Sequence, residues 1–485
     1  MINLKTIYKV IGSLLYIEAS LLAVCLCMAL YFGEDDTTAF LFSVAITAFG
    51  GTILRYLGRD SDNTLNRRDA YLVVTCAWIV FSLFGMLPFV ISGYLTDFTD
   101  AFFETMSGFT TTGATILDDV ECLPHGLLFW RTMTQWIGGL GIVFFTIALL
   151  PSMVGGSVKV FAAEATGPIK TKLHPRLSMS AKWIWVVYVL LTIACMMCYM
   201  FFGMEWFDAV NYSMTSTATG GFSTHNESTE FFRSPALDYT CTFFCFLSGT
   251  NFTLLYFAFT KGRLKNLFHN AEFRFYLLLV AVFTAFITVE LIYYNGYDLE
   301  KAFRCGIFQV VSFITTTGLY NDDAGTWPHV TWVVLAVCMF FGACSGSTSG
   351  GFKCIRGIML LKTVKNEFKQ ILHPNAVLPL KINGGNVPTS KRVTLLAFLT
   401  SYLILSLICS FAMIAMGVDH TNAITITLSC ISNVGPTLGV EIGPTMSWSG
   451  LPDLAKWICA TLMLIGRLEI FTVLVIFTPA FWKKS

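Results

Sequence analysis

The chain has 485 residues, 55% of them hydrophobic and only 13% charged, with a formal net charge of +1 and a mean hydropathy of +0.67. Soluble chains of this length usually carry charge on about a quarter of their residues and divide into several domains. The composition excludes that class, together with disorder, a disulfide scaffold and a basic nucleic-acid-binding surface, and it implies a protein of the lipid bilayer.

Apolar stretches of about 20 residues can cross a bilayer as helices. Ten are read in chain order: 8–32, 38–57, 70–93, 127–150, 182–203, 237–260, 275–296, 327–352 (continuing past a break to about 363), 393–417 and 454–479. The first follows Lys5 and Lys9 as a signal peptide would. It is too long for that, and it ends in Phe32-Gly33-Glu34-Asp35-Asp36 without a small-residue cleavage motif, so it is read as a membrane helix. With these spans, 25 of the 31 Lys and Arg residues fall on the side of the N-terminus, and 21 of the 30 Asp and Glu residues on the other. The basic residues predict both termini inside, and the acids predict an outer mouth that attracts cations. The fifteen cysteines lie mostly in apolar segments. Even the Cys195–Cys198 pair sits within a span with no His nearby, so it reads as apolar filler rather than a metal or redox site.

After two N-terminal helices (1–69), one layout recurs four times, at 70–180, 181–272, 273–390 and 391–485. A span is followed by a half-apolar outer segment and then a second span, which in the third unit is interrupted. Each outer segment has an amphipathic stretch too short to span, leading into a turn that ends in Gly: Thr110-Thr111-Thr112-Gly113, Thr217-Ala218-Thr219-Gly220, Thr315-Thr316-Thr317-Gly318 and Ser432-Asn433-Val434-Gly435. Phe103 and Phe308 sit ten residues before their glycines, and Ser107, Ser312 and Ser429 sit six before. Shared register in diverged sequence predicts one unit copied four times. Four helix–half-helix–helix units about an axis would make a pore. The partly negative C-terminal end of each half-helix would point at the cavity, and carbonyl and hydroxyl oxygens of the turns would replace a cation's water shell. Non-helical backbone at membrane depth is tolerated when it lines such a path. The competing explanation is close helix packing by small residues.

This layout resembles the Trk/Ktr/HKT superfamily of cation channels and transporters, and the two extra N-terminal helices resemble its bacterial TrkH-type subunits. Two further stretches are similar to that family: Trp130-Arg131-Thr132 through Gln135-Trp136-Ile137-Gly138-Gly139-Leu140-Gly141, and Gly466-Arg467-Leu468-Glu469-Ile470 through Pro479. The resemblance implies an all-α membrane protein with four pseudo-symmetric repeats around an ion pore, in the bacterial inner membrane. Glycine at all four filter positions, here Gly113, Gly220, Gly318 and Gly435, implies potassium as the permeant ion, with rubidium as surrogate; Ser at the first goes with sodium permeation in some plant members. The fourth turn departs from the family's usual Asn-Val-Gly-Pro-Gly, since Thr437 follows Pro436.

In the eighth span, Gly342-Ala343-Cys344-Ser345-Gly346-Ser347-Thr348-Ser349-Gly350-Gly351 concentrates poor helix formers. Residues alone leave two readings open, a break in mid-membrane or a packing face with Gly every fourth position. The resemblance favours a flexible loop beneath the filter that obstructs the pore. Arg467 lies in mid-membrane, where a charge costs at least about 2.5–3.5 kcal/mol on insertion scales. It reads as an electrostatic barrier to cations, or as an ion pair with Glu469 or Glu290; Glu469, two residues on, does not share its helix face. Glu18 and Glu290 are read as helix contacts or as proton or sodium sites.

The inner segment 353–392, with eight basic residues, reads as a positive anchor that touches anionic lipid. By resemblance it docks a TrkA-type cytosolic nucleotide-binding regulatory subunit, and the protein is a homodimer with one pore per protomer. No Walker A run or Rossmann fingerprint occurs in the chain, so no organic cofactor is expected here. A potassium transporter coupled to protons or sodium is the alternative, although four units dipping in one sense differ from the inverted repeats usual there. No constellation of nucleophile, base and metal ligand suggests an enzyme.

Overall fold

The computed structural model describes residues 2–61, 65–141, 177–262, 264–439 and 442–483. Among the described residues, six helices are long and apolar enough to cross a membrane: Leu4–Phe32, Thr37–Leu57, Arg67–Ser92, Ala181–Phe201, Ala271–Asn295 and Thr389–Ala415. The first two, α1 (Leu4–Phe32) and α2 (Thr37–Leu57), turn at Gly33, whose left-handed conformation ends α1, and cross closely where Gly12 meets Gly51. Helix α3 (Arg67–Gly85) opens with Asn66 and Asp69 in a capping box, and continues through a short break at Met86 into α4 (Leu87–Ser92).

The half-helices expected in the four units are each too short to span. They are α5 (Phe98–Phe109), α8 (Trp206–Ala218), α13 (Leu299–Ile314) and α17 (His420–Ser432), with 12, 13, 16 and 13 residues. At 1.5 Å per residue these reach about 18–24 Å, against about 30 Å of hydrocarbon. Each begins at an acid: Asp97, Glu205, Asp298 and Asp419. The Asp97 carboxylate accepts from the Thr99 and Asp100 N–H groups, and Asp419 from those of Thr421 and Asn422. A carboxylate there favours the positive helix end, so sequence-local chemistry fixes where each half-helix begins.

The helices that follow the half-helices depart from continuous spans. Helix α6 (His125–Leu140) ends at Gly141, and the remainder of the span expected over 127–150, with Lys159, Lys170, Lys172 and Arg176 beyond it, lies outside the described residues. Helix α7 (Leu177–Phe201) leads to α8. The span expected over 237–260 is two helices, α9 (Pro235–Ser248) and α10 (Phe252–Lys261), bent by 103° at Gly249-Thr250-Asn251. Asn251 causes the restart, because its side chain caps α10 by accepting from the Thr253 and Leu254 N–H groups. After α11 (Leu264–His269), α12 (Ala271–Asn295) and α13, helix α14 (His329–Phe340) stops after 12 residues, and helical structure resumes only at α15 (Cys354–Leu372). Helix α16 (Thr389–Ala415) precedes α17. The last expected span is α18 (Asp453–Arg467) and α19 (Phe471–Leu474), turned by 107° around Glu469 and Ile470, both at positive φ.

The inner segment also forms a two-residue antiparallel hairpin, β1 (Lys381–Ile382) with β2 (Gly385–Asn386), a minor addition to an otherwise helical chain. Trp78, Trp130, Phe81, Phe103 and Phe109 are fully buried and wedge α3, α5 and α6 together, which fixes where α5 ends.

Candidate functional site

After each half-helix the backbone makes the same move: a residue at positive φ, one residue more, then a glycine at positive φ. The pairs are Thr111 and Gly113 (54° and 82°), Thr219 and Gly221 (54° and 88°), Thr316 and Gly318 (57° and 83°), and Asn433 and Gly435 (57° and 97°). The hydrogen bonds repeat as well. The N–H groups of Thr112, Gly220, Thr317 and Val434 donate to the carbonyls of Ser107, Thr215, Ser312 and Ser429 at 2.7–3.0 Å.

The four glycines close a ring. A Cβ on Gly113 would collide with the Gly220 carbonyl oxygen, one on Gly221 with that of Thr317, one on Gly318 with that of Val434, and one on Gly435 with that of Thr112. Only glycine combines this backbone conformation with so close an approach. The second strand is therefore displaced by one residue from the sequence expectation. Its ring glycine is Gly221, and Ala218, Thr219 and Gly220 stand where Thr110–Thr112, Thr315–Thr317 and Ser432–Val434 stand in the others. Thr217 falls back into helix α8. Two adjacent glycines after a Thr-Ala-Thr run made the wrong register look natural. In the corrected register Thr215 is the counterpart of Ser107, Ser312 and Ser429.

Hydroxyls brace the strands. Thr110 bonds Thr112 at 2.8 Å and Thr315 bonds Thr317 at 2.7 Å. Ser432 bonds Tyr402 at 2.8 Å, and Asn433 Nδ2 donates to Thr112 Oγ1 at 3.0 Å, tying the fourth strand to the first. On one side of the ring lies a cavity of about 120 Å³ whose lining includes all four ring glycines, Arg131 and His225. Arg131 and Glu104 form a buried ion pair at 2.9 Å. Glu104 also accepts from Thr115 Oγ1 and the Ile116 N–H, and so fixes the outer leg of the first strand. In the sequence Arg131 stands out only within the Trp130-Arg131-Thr132 stretch, and an Arg inside an apolar stretch is the signal for this role. Bonds from Val120 N–H to Asn226 Oδ1, Tyr320 hydroxyl to Asn226 carbonyl and Trp448 N–H to Thr115 carbonyl, at 2.8, 2.5 and 2.8 Å, link the strands around the mouth. His225 spans Asp208 (3.2 Å) and Glu121 (3.4 Å) and stacks on Phe231.

On the other side of the ring lies the loop 341–353. It is not a helical packing face: Gly346 and Gly351 have φ of 71°, and Gly342 packs against the Gly350 carbonyl. Thr348 Oγ1 donates to the carbonyls of Thr217 (3.2 Å) and Ser248 (3.3 Å), and lies 3.2 Å from Thr219 Oγ1. The Gly350 N–H donates to Thr316 Oγ1 at 2.7 Å, and Gly350 packs against the Ser432 carbonyl. Ser347 bonds Ser349 and the Cys344 carbonyl. Glu272 anchors the loop by accepting from Ser345 and Ile355 N–H, and Asn251 donates to the Ser345 carbonyl. Lys353, expected as part of the inner positive anchor, is instead buried with its Nζ on the Ser349 carbonyl and hydroxyl.

Arg467 reaches the same place from the last residue of α18. Its guanidinium donates to the carbonyls of Thr348 (2.9 Å), Gly138 (2.5 Å) and Gly139 (2.7 Å). Glu469 meets Arg356 at 2.5 Å. The loop and Arg467 together thus touch residues from all four units beneath the ring. Glu18 is fully buried, and neither of its carboxylate oxygens has a hydrogen-bond partner among the described residues.

The sequence matches the TrkH family of cation transport proteins over residues 37–484. It is 37% identical to the Trk system potassium uptake protein TrkH of Halomonas elongata, over 99% of this chain and 100% of that one. It is 36% identical to the protein of the same name from Escherichia coli K12, again over 99% and 100%. The fold is similar to the crystal structure of the potassium transporter TrkH from Vibrio parahaemolyticus, with a TM-score of 0.89, 33% identity and 99% of each chain covered.

Proposed function

Because the chain belongs to the TrkH family of cation transport proteins, we propose that it is the potassium-conducting membrane subunit of a bacterial uptake system. The reading is carried by one observation: four half-helix ends bring Gly113, Gly221, Gly318 and Gly435 into a ring at the floor of an outer cavity. The filter strands are Thr110–Gly113, Ala218–Gly221, Thr315–Gly318 and Ser432–Gly435. Helix ends with partial negative charge stabilise a dehydrated cation there, and strand oxygens replace its water. Potassium passes from the outer cavity through the ring, and the loop 341–353 with Arg467 closes the path beneath. The fixed positive charge of the guanidinium opposes an entering cation, the more so where water is scarce, and adds to the closure by the loop. The chain divides into two N-terminal helices and four repeats, lies in the inner membrane with both termini in the cytoplasm, and pairs as a homodimer. A TrkA-type nucleotide-binding subunit docks on the basic inner face and moves the loop; potassium is cargo, and the chain itself carries no enzymatic step.

Flux of potassium, rubidium and sodium into proteoliposomes containing this chain alone tests the reading. Potassium and rubidium influx that follows an imposed voltage and ignores a proton gradient is expected. Influx that requires a proton or sodium gradient would overturn the pore in favour of a coupled transporter, with Glu18 and Glu290 as its first residues to replace.

A further inference from the structure

The second strand differs from the other three at the residue before the ring glycine. Thr112, Thr317 and Val434 hold that position elsewhere; here it is Gly220. The space is not empty. A Cβ on Gly220 would collide with the amide of Gln135, a fully buried side chain reaching across from α6.

The Gln135 amide makes three bonds to the second strand and its helix. Nε2 donates to the Gly220 carbonyl at 2.7 Å, and Oε1 accepts from Thr215 Oγ1 at 2.7 Å and from the Phe222 N–H at 3.0 Å. An N–H facing one end and a carbonyl facing the other leave only one orientation for the amide. The third strand is braced without an intermediary and through the other backbone group: Ser312 Oγ, the counterpart of Thr215, donates to the carbonyl, not the N–H, of Leu319, the counterpart of Phe222, at 2.5 Å. In the fourth, Ser429 Oγ accepts from the Gly435 N–H at 3.0 Å. In the second strand that brace runs through a residue borrowed from the preceding unit.

We infer that Gln135 is a specificity-determining positioning residue: it fills the place of the side chain missing at Gly220 and sets the direction of that strand's carbonyl. The Gly220 carbonyl lies against Gly113 in the ring, so turning it changes the ring's width and oxygen field on one side. Gln135 and Gly220 act as a pair, each having the size the other permits. The inference rests on the strands being the ion path, and it adds which residue outside them sets selectivity.

The potassium-to-sodium permeability ratio of the full chain in proteoliposomes tests it, in the parent and in Gln135→Leu, Gln135→Ala, Gly220→Ala, Gln135→Ala/Gly220→Ala and Gly113→Ser. Loss of the Gln135 bonds should lower the ratio roughly tenfold, the scale of one buried hydrogen bond. Gly220→Ala should cost a similar factor in the parent, yet less than about twofold more in the Gln135→Ala background, as coupled neighbours do. A ratio is read per conducting protein, so reduced yield of one variant does not imitate the effect. Gln135 variants at the parental ratio, or independent effects in the double variant, would overturn the inference where Gly113→Ser has lost selectivity. If Gly113→Ser also keeps the parental ratio, the assignment of the strands as the ion path fails, and the inference with it.

Discussion

At the scale of single residues, charge placed where solvent is scarce marks the working parts. Arg467 is held by three carbonyls, which spread its positive charge over groups from α6 and from the loop. These bonds hold a cationic group at the inner side of the ring, so Arg467→Ala should raise basal potassium flux at least about tenfold if the barrier is electrostatic. Unchanged flux in single-channel or tracer recordings would remove that role. At the outer mouth, burial lowers the proton affinity of the His225 imidazole, but bonds to Asp208 and Glu121 and their negative charges outweigh it and hold its pKa above the ordinary histidine value. A raised folded pKa means that the stabilisation is fully present below the unfolded value of about 6.5. It is lost as pH rises through the folded pKa. Melting in detergent should therefore show the parent more stable than His225→Gln at pH 5.5, with the gap closed by pH 9. A gap independent of pH would mean that stacking on Phe231, not charge, holds the residue.

At the scale of elements, hydropathy revealed the continuous spans and the existence of the half-helices. It did not reveal the broken second helices. Gly249-Thr250-Asn251 and Leu468-Glu469-Ile470 interrupt apolar stretches for only three residues, too few to lower a window average, and the breaks are held by tertiary contacts such as Asn251 with the Ser345 carbonyl and the Arg356–Glu469 pair. The interruption after Phe340 was only half legible: the run of Gly, Ser and Thr over 342–351 fitted a break or a packing face equally, and the family resemblance favoured the break that the structure has. The register of the second strand was not legible because Gly220 and Gly221 are equivalent in sequence. Only the φ pattern and the Gln135 bonds separate them. The loop itself yields a prediction. Shortening it by removing Gly346–Ser349 should raise potassium flux severalfold while leaving the potassium-to-sodium ratio within about twofold of the parent, since the strands above keep their own braces. A loss of selectivity in tracer competition would show instead that the loop is part of the filter.

At the scale of the whole molecule, the site belongs to no single segment. The ring is assembled from four positions spread over more than three hundred residues, and bonds that cross between units tie the first to the second, the second to the third and the fourth back to the first: Val120 to Asn226, Asn226 to Tyr320, and Thr115 to Trp448 with Thr112 to Asn433. The fourfold recurrence in the sequence disclosed that such a centre exists; the cross-links depend on distant partners and left no local trace, and Arg131 showed as a charge in an apolar stretch without disclosing Glu104 as its partner. Anomalous diffraction from crystals grown in rubidium tests the central claim most directly. The account predicts rubidium on the axis of the Gly113, Gly221, Gly318 and Gly435 ring, within about 3 Å of strand oxygens. Rubidium bound instead beside Glu18 or Glu290, with the ring bare, would contradict it.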